Sequence, residues 1–416
     1  MGLRENIKAL GPGLMWAGAA IGVSHLVQST RAGADYGFQL VWIVLLANLF
    51  KYPFFEFGPR YAAATGNNLL VGYHKLGKWA IPLYLVITWL TMFSIQAAVT
   101  VVTASLFTSI FGLFSTKVWT YILLVVGGFV VWIGNYKVLD RLIKLIIIVL
   151  TISTLTAVFF AFKNDINNIG IVGKQFNWAD FADISFLIAL VGWMPSAIDV
   201  SVWHSVWSVA QRETMDDKPT VKQALFDFNV GYLGTAFLAL GFIALGALVM
   251  YGGESSFSNQ AGQFSDQVIS LFTKSLGSWS FPIIAMAALT TMVSTTITVL
   301  DAVPRVLTEA FVQVRPNWDN CQTKRKLTTF WLLVLVLGSS LIVMFLLGNL
   351  KIFVDIATIL SFLTAPILGW MNLRVITSAD FPVEHVPPLW LKVLSYIGLC
   401  MLIVFSVYYL VQQVIH

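Results

Sequence analysis

Apolar runs of about 20 residues recur along this chain, and short polar segments separate them. A run of that length allows an α-helix to cross the roughly 30 Å of hydrocarbon in a bilayer. The pattern therefore predicts an all-α integral membrane protein rather than a barrel. It places eleven spans at approximately residues 11–36, 38–64, 80–111, 118–135, 141–162, 183–211, 224–251, 280–304, 328–347, 351–376 and 389–412.

Two of these runs are interrupted by residues that weaken a helix. In the first run, Gly22, Ser24 and His25 lie near the middle, where small and polar residues favour a break. In the sixth run, Gly192 and Pro195 do the same, because proline removes a backbone donor and clashes with the preceding turn. Backbone groups exposed at membrane depth need protein or water partners, so paired breaks of this kind indicate a substrate site.

The two broken spans are five spans apart, which places them at matching positions of two five-span units. Because each unit has an odd number of spans, the second unit runs inverted through the membrane. We expect repeat 1 at about 11–162, repeat 2 at about 183–376 and an extra helix at about 389–412, all within one transmembrane domain covering 1–416. This is the arrangement of a secondary transporter with its site at the midplane.

Composition and charge agree with this prediction. The chain is 58% hydrophobic and 11% charged, whereas soluble domains carry about 25% charged residues. Most of its 25 Lys and Arg residues fall in the loops and helix ends on the side of the N-terminus. The positive-inside rule then predicts a cytoplasmic N-terminus and an extracytoplasmic C-terminus in a plasma membrane, such as a bacterial inner membrane.

The same features exclude several other functions. The net charge of +5 follows from the loop bias, so it does not indicate nucleic-acid binding. The chain contains no nucleotide-binding loop and no catalytic constellation, so we expect neither an ATP-driven pump nor an enzyme. The two cysteines, Cys321 and Cys400, lie at different predicted levels and predict no disulfide or metal site. We expect a monomer without a cofactor.

Polar side chains within the spans are the candidate binding groups. Thr291, Ser294, Thr295 and Thr298 share one face of the eighth span. Such hydroxyls usually bond their own backbone or a neighbouring helix, but with freed carbonyls they would also suit a sodium ion. Gln96 is the most polar central group of the third span.

Charged residues inside a membrane are costly and therefore indicate function. Asp199 lies four residues after Pro195 and would ligate a cation, orient a donor or pair with His25. Asp301 and Arg305 are spaced as an i, i+4 ion pair.

Three further charges have less specific interpretations. Lys51 and Glu56, both in the second span, would form a similar internal pair or extend towards the interface. Arg31, two turns beyond the first break, would attract an anion or mark the membrane interface, and we favour the interface.

Several segments resemble the NRAMP (natural resistance-associated macrophage protein) family of divalent-metal transporters. They are GPG, AGADYGFQLVW, LLANL and RYAAATG in the first two spans, MP in the sixth and STTIT in the eighth. The resemblance extends over the whole chain in the order and spacing of helices. It implies a LeuT-like 5+5 inverted repeat whose first and sixth helices unwind around the ion, with spans 1, 2, 6 and 7 rocking against 3, 4, 8 and 9.

The metal ligands of that family are not retained. Its Asp-Pro-Gly-Asn motif is replaced by Gly22, Val23, Ser24 and His25. Its Met-Pro-His motif is replaced by Met194, Pro195 and Ser196, and its third-helix acids align with Gln96 and Val99. A divalent cation needs anionic or several oxygen ligands, so we do not expect proton-driven transition-metal transport.

The altered site suggests an anion instead. The amides of Ser24 and His25 lie at the positive end of the outward half-helix, and Ser196 adds a further donor. The chain resembles a divergent NRAMP-related clade thought to carry bicarbonate. The predicted substrate site comprises Gly22, Val23, Ser24, His25, Gln96, Trp193, Met194, Ser196 and Asp199. The predicted sodium site for coupling comprises Ala19, Gly22, Ser294, Thr295 and Thr298.

Two alternatives remain open at this stage. The first is a transporter of Mg²⁺ or Mn²⁺ with an altered site, in which Met194 and Asp199 would be the ligands. The second is a non-transporting receptor or regulator built on a transporter scaffold.

Overall fold

The structure, a computed structural model, describes residues 10–134, 136–165, 173–213, 215, 217–252, 258, 261–346 and 350–415. These residues form helices and connecting segments, with no β-strand among them. We call "inner" the side on which the sequence analysis places the N-terminus.

The first and sixth spans are each divided, as predicted. The first consists of α1 (Pro12–Ala20), a π-helical segment (Ser24–Ser29) and α2 (Thr30–Tyr36). The sixth consists of α8 (Phe181–Gly192) and α9 (Val200–Glu213). The other helices are α3 (Val41–Thr65), α4 (Leu69–Leu76), α5 (Ala80–Phe111), α6 (Thr116–Ile133), α7 (Tyr136–Asp165), α10 (Val221–Val249), α11 (Ala261–Leu276), α12 (Phe281–Val314), α13 (Cys321–Leu346), α14 (Leu350–Ile376) and α15 (Leu389–Ile415).

Length and apolar character identify the membrane-crossing helices. In the described parts of the chain, eight helices are long and apolar enough to cross a bilayer: α3, α5, α6, α10, α12, α13, α14 and α15. The two divided spans are absent from this set because each half is short. The all-α membrane fold is confirmed, while the count of eleven spans stays a prediction.

The two halves of the first span pack against one neighbouring helix, α10, at glycine contacts. A Cβ on Gly33 would lie 2.0 Å from the carbonyl oxygen of Ile243, and a Cβ on Gly231 would lie 2.3 Å from that of Gly13. Only glycine allows two backbones to approach so closely. Both halves of the first span therefore lie directly on α10, which also packs along α3.

A carboxylate fixes the inner end of the first span to the same helix. Asp227 of α10 accepts hydrogen bonds from the amides of Gly11 (3.0 Å) and Gly13 (2.6 Å). It thereby satisfies two of the amides that a helix leaves free at its N-terminus. A second set of helices forms around α12, which packs against α5 and α13, and α12 also contacts α1.

Candidate functional site

The first break is centred on Ile21 and Gly22. Ile21 leaves the helical conformation with φ −78° and ψ 89°, and the chain resumes as the π-helical segment. A Cβ at Gly22 would lie 2.9 Å from the side chain of Thr295 on α12. Glycine at this position therefore lets the broken segment come close to the hydroxyl-rich face of the eighth span.

The hydroxyl of Thr295 lies near two carbonyls of the first break and one carbonyl of its own helix. Its Oγ1 is 3.1 Å from the Gly18 oxygen, 3.2 Å from the Ile21 oxygen and 3.1 Å from the Thr291 oxygen. A hydroxyl has one proton and can donate to only one of these acceptors at a time. The buried Oγ of Ser294 has no hydrogen-bond partner among the described residues. The four oxygens that these distances join, Thr295 Oγ1 and the carbonyl oxygens of Gly18, Ile21 and Thr291, form what we call the Thr295 cage.

The two polar residues after the break are engaged with protein groups. Ser24 Oγ donates to the Ala20 oxygen (2.6 Å) and also lies 2.7 Å from His25 Nδ1. His25 Nε2 lies 2.9 Å from the carbonyl oxygen of Thr235 on α10, so the tautomer with a proton on Nε2 fits the site. The imidazole is fully buried and directed towards α10.

The second break contains a charged residue from another span. Between α8 and α9 the chain is irregular, and the Met194–Pro195 peptide bond is cis. Lys51, on α3, directs its ammonium into this break. Its Nζ donates to the carbonyl oxygens of Val191 (2.7 Å), Gly192 (2.9 Å) and Ser196 (3.1 Å). We call these three acceptors the Lys51 cage.

Asp199 lies at the start of the inner half-helix α9. Its carboxylate lies close to the backbone amides of Val200 and of Asp199 itself, which favour its negative charge. The Oδ1 atom of Asp199 is buried and has no partner within the described part of the chain. Asp199 and Lys51 attract each other electrostatically, so the two charges at this break offset one another.

A small cavity of about 30 Å³ lies between the two breaks. The predicted site residues that line it are Ala19, Val23, Ser24, Trp193, Ser196, Asp199 and Thr295. Those that do not line it are Gly22, His25, Gln96, Met194, Ser294 and Thr298. The remaining wall is mostly apolar and includes Ile95, Val99 and Trp203. The polar residues on the wall are thus two serines, one threonine and one aspartate.

The predicted residues outside the cavity have other contacts. Gln96 Nε2 donates to Thr100 one turn along α5 (2.8 Å), and Thr298 Oγ1 donates to the backbone of Ser294 (2.8 Å). Met194 is fully buried in an apolar cluster that includes Tyr36, Leu40 and Phe186. Met194 and Asp199, the two ligands of the alternative metal site, therefore do not line the cavity together.

Two of the predicted ion pairs have different outcomes. Asp301 and Arg305 form the expected pair, with Nε 2.7 Å from Oδ1. The prediction that Lys51 pairs with Glu56 is wrong, because Glu56 is bonded to Arg60 one turn along α3. Sequence reasoning therefore missed the role of Lys51. The sequence offered two separate signals: a lysine in the middle of one span, and a proline in another span that exposes backbone carbonyls.

The outer side of the site is closed by an ion pair that sequence reasoning also missed. Arg31 of α2 contacts both oxygens of Asp355 on α14, at 2.8 Å and 3.2 Å. Gln28 donates to the same carboxylate (3.0 Å) and accepts from Arg31 (3.0 Å). Arg31 also lies 4.8 Å above the ring of Phe186. The arginine that we expected to mark the interface is thus buried in a bond between two spans.

The inner side carries a wide vestibule instead. A polar cavity of about 840 Å³ lies among the inner ends of α3, α6, α9, α12 and α13. Charged residues on its wall include Glu213, Asp301, Arg305, Glu309 and Lys324. An ion pair thus bridges two spans on the outer side, whereas a wide polar cavity lies on the inner side. Within the described residues, no three His, Cys, Asp or Glu side chains form a group that could hold a metal ion.

Comparison with known proteins identifies relatives over nearly the full chain. Residues 13–412 match the model of the family described as natural resistance-associated macrophage protein-like. The chain is 35% identical over 421 residues to "Uncharacterized protein PM0681" of Pasteurella multocida, covering 98% of this chain and 93% of the relative.

Solved structures with the same fold include transporters at low sequence identity. A manganese transporter of Eremococcus coleocola superposes with a TM-score of 0.66 at 16% identity, covering 99% of this chain and 88% of that one. MhsT in complex with L-phenylalanine gives 0.64 at 15% identity, covering 95% and 98%. Mhp1, a nucleobase-cation-symport-1 family transporter, gives 0.62 at 14%, covering 97% and 93%. These similarities confirm the LeuT-like fold with broken first and sixth helices.

Proposed function

Because this chain belongs to the natural resistance-associated macrophage protein-like family of membrane transporters, we propose that it is a sodium-coupled importer of a small oxyanion, with bicarbonate as the best candidate. In this proposal it works as a monomer by alternating access. It lies in a bacterial inner membrane with a cytoplasmic N-terminus and an extracytoplasmic C-terminus.

The observation that carries the proposal is the Thr295 cage. Three carbonyl oxygens lie within 3.1–3.2 Å of one hydroxyl, and the hydroxyl of the preceding residue, Ser294, is buried without a described partner. Carbonyl and hydroxyl oxygens without a carboxylate suit a hard cation of single charge. Thr295 also lines the cavity, so a sodium ion in the cage would be adjacent to the substrate.

The charges around the cavity favour an anion as that substrate. Asp199 is offset by the amide end of α9 and by the ammonium of Lys51. A sodium ion would then add one positive charge to a site that is close to neutral, and an anion would balance it. A divalent cation together with the sodium ion would instead add three positive charges beside a single carboxylate, which is unfavourable.

The residues on the cavity wall suit an oxyanion. Ser24 and Ser196 both line the cavity, and the outward half of the first span begins at Val23 and Ser24. The positive end of that half-helix stabilises negative charge. Import of an anion against a negative cell interior requires a driving ion, which sodium provides.

The second candidate is transport of Mg²⁺ or Mn²⁺. It is favoured by Asp199, which lines the cavity and whose buried Oδ1 has no described partner, and by the manganese transporter among the structures of the same fold. In that reading Asp199 is the principal ligand.

The test is uptake by purified protein in proteoliposomes. Labelled bicarbonate is followed beside Mn²⁺ and Mg²⁺, each with and without an inward sodium gradient. We expect sodium-dependent bicarbonate uptake that an imposed membrane potential leaves unchanged, because one sodium ion accompanies one anion. Metal uptake without a bicarbonate signal would overturn the proposal and leave the second candidate.

A further inference from the structure

Lys51 is a fully buried lysine in the middle of a span, where an ammonium without partners would be strongly unfavourable. Its three N–H groups are matched by three carbonyl oxygens, those of Val191, Gly192 and Ser196, at 2.7–3.1 Å. Because an ammonium has three donors and no acceptor, its hydrogen bonding is complete in this position. It therefore has no donor left for a substrate.

The three carbonyls lie at the end of α8 and in the break that follows it. α8 ends at Gly192, where a helix leaves its last carbonyls without partners inside the helix, although the Val191 oxygen also accepts from the amide of Met194 (3.2 Å). Pro195, which follows, has no N–H to offer. The C-terminal end of α8 also carries the negative end of the helix dipole. Partially negative oxygens thus converge on one point from two directions, which is the arrangement that a cation occupies.

We propose that the Lys51 cage is a second cation site, and that Lys51 fills it permanently with its own ammonium. The tethered charge does the work of a bound ion at the sixth span. A diffusible cation then enters only the Thr295 cage. This consequence for coupling rests on the proposed function, whereas the cation site itself does not.

The surroundings of Lys51 leave room for a test by substitution. Its side chain also borders an apolar cavity of about 100 Å³ with Leu187, Phe362 and Phe405. Methionine is one atom shorter than lysine and carries no charge. Lys51→Met therefore leaves the carbonyls in place and vacates only the position of the ammonium.

The experiment measures thermal unfolding of purified protein in choline, sodium and ammonium chloride at equal ionic strength. In choline, which is too large for the cage, Lys51→Met should unfold roughly 4 °C below the wild type, because three buried carbonyls have lost a charged partner. Ammonium should restore at least half of that loss, since it reproduces the lysine head group. Lys75→Met, the same change at an exposed site on α4, should behave as the wild type in all three salts.

A second variant controls for charge. Lys51→Arg keeps a positive charge in the cage, so its unfolding temperature should not respond to ammonium. A Lys51→Met protein that unfolds alike in all three salts, or that aggregates in all of them, would overturn the proposal. An equal response to ammonium in Lys51→Arg would also overturn it. These measurements contain no bicarbonate, so they remain decisive if the proposed substrate is wrong.

The consequence for coupling is tested separately by sodium activation of labelled bicarbonate uptake. The wild type should give a Hill coefficient of about 1, and Lys51→Met a value nearer 2, because sodium now has two cages. The Hill coefficient of Lys51→Met could instead equal that of the wild type although its unfolding temperature responds to ammonium. That result would reject a role of Lys51 in the sodium stoichiometry and would retain the cation site.

Discussion

The two breaks pose the same chemical problem and solve it differently. At each break, carbonyl oxygens at membrane depth need partners. At the first break the partner is the neutral hydroxyl of Thr295, which faces three carbonyls with one proton. At the sixth, the partner is the charged head group of Lys51, whose three donors match three carbonyls.

This difference decides which break can exchange its partner. The hydroxyl oxygen of Thr295 has lone pairs, so it can turn from donor to cation ligand while the carbonyls keep their places. An ammonium cannot become a ligand, so the Lys51 cage is permanently filled. A span broken beside hydroxyls is therefore suited to a diffusible ion, and one broken beside a lysine is not.

The two spans also differ in how they contact α14. The outer half of the first span reaches α14 through the Arg31–Asp355 ion pair, which can separate without steric hindrance. The sixth span contacts α14 by backbone packing, since a Cβ on Gly192 would lie 2.2 Å from the Thr358 oxygen. The first span is thus the one that is free to separate from α14 on the outer side.

The largest effect is expected from removing the exchangeable partner. Thr295→Val keeps the shape of the side chain but deletes the oxygen at the centre of the cage. One ligand contributes about 1–3 kcal/mol to the free energy of sodium binding. Its loss should raise the sodium concentration for half-maximal uptake roughly ten- to hundredfold. Sodium titration of bicarbonate uptake measures it. Thr290→Val is the matched control, because that hydroxyl bonds only its own helix, at Met286 and Ala287. An unchanged sodium requirement in Thr295→Val would place sodium elsewhere.

A smaller effect is expected from opening the outer contact of the first span. Asp355→Asn removes the charge that holds Arg31. A partly exposed ion pair contributes about 1 kcal/mol, so its loss should raise the population of an outward-open state about fivefold. Labelling of a cysteine introduced at Ala20, on the cavity wall, by a membrane-impermeant reagent should accelerate accordingly. Cys321 and Cys400 are first replaced by serine.

The control for that measurement is a pair within one helix. Asp301→Asn removes the ion pair with Arg305, and because both residues lie on α12, this pair connects no two spans. It should leave the labelling rate unchanged. Equal rates in Asp355→Asn and the parent would mean that the ion pair does not hold the outer side closed.

Local chemistry explains why the breaks were predictable from sequence. Gly22, Gly192 and Pro195 act on the backbone at their own positions, so their effects need no knowledge of the fold. The hydroxyl face of the eighth span follows from helical spacing alone. The predicted sodium site, with Ala19 and Gly22, stays a prediction. The oxygens near Thr295 are those of Gly18 and Ile21, because one residue turns a helix by about 100° and Gly22 already accepts from two amides of the next turn.

Tertiary contacts explain what was not predictable. Lys51 reaches carbonyls 140 or more residues away, and Arg31 reaches Asp355 over 324 positions. Sequence proximity suggested Glu56 as the partner of Lys51, but the i, i+4 neighbour Arg60 has the better geometry on the helix. The orientation of His25 towards α10 likewise depends on where Thr235 lies once the helices pack.

The smallest effect is expected at Asp199, and it separates the two candidate substrates. If its carboxylate only accepts from the nearby backbone amides of Asp199 and Val200, asparagine can replace it, because the side-chain oxygen of asparagine is also an acceptor. Asp199→Asn should then retain bicarbonate uptake within about threefold. Ser196→Ala, which removes a hydroxyl from the cavity wall, should lower it more. Labelled uptake at saturating sodium gives both values. If Asp199→Asn abolishes transport while Ser196→Ala does not, the carboxylate is a ligand, and the sixth break holds a metal cation beside the lysine.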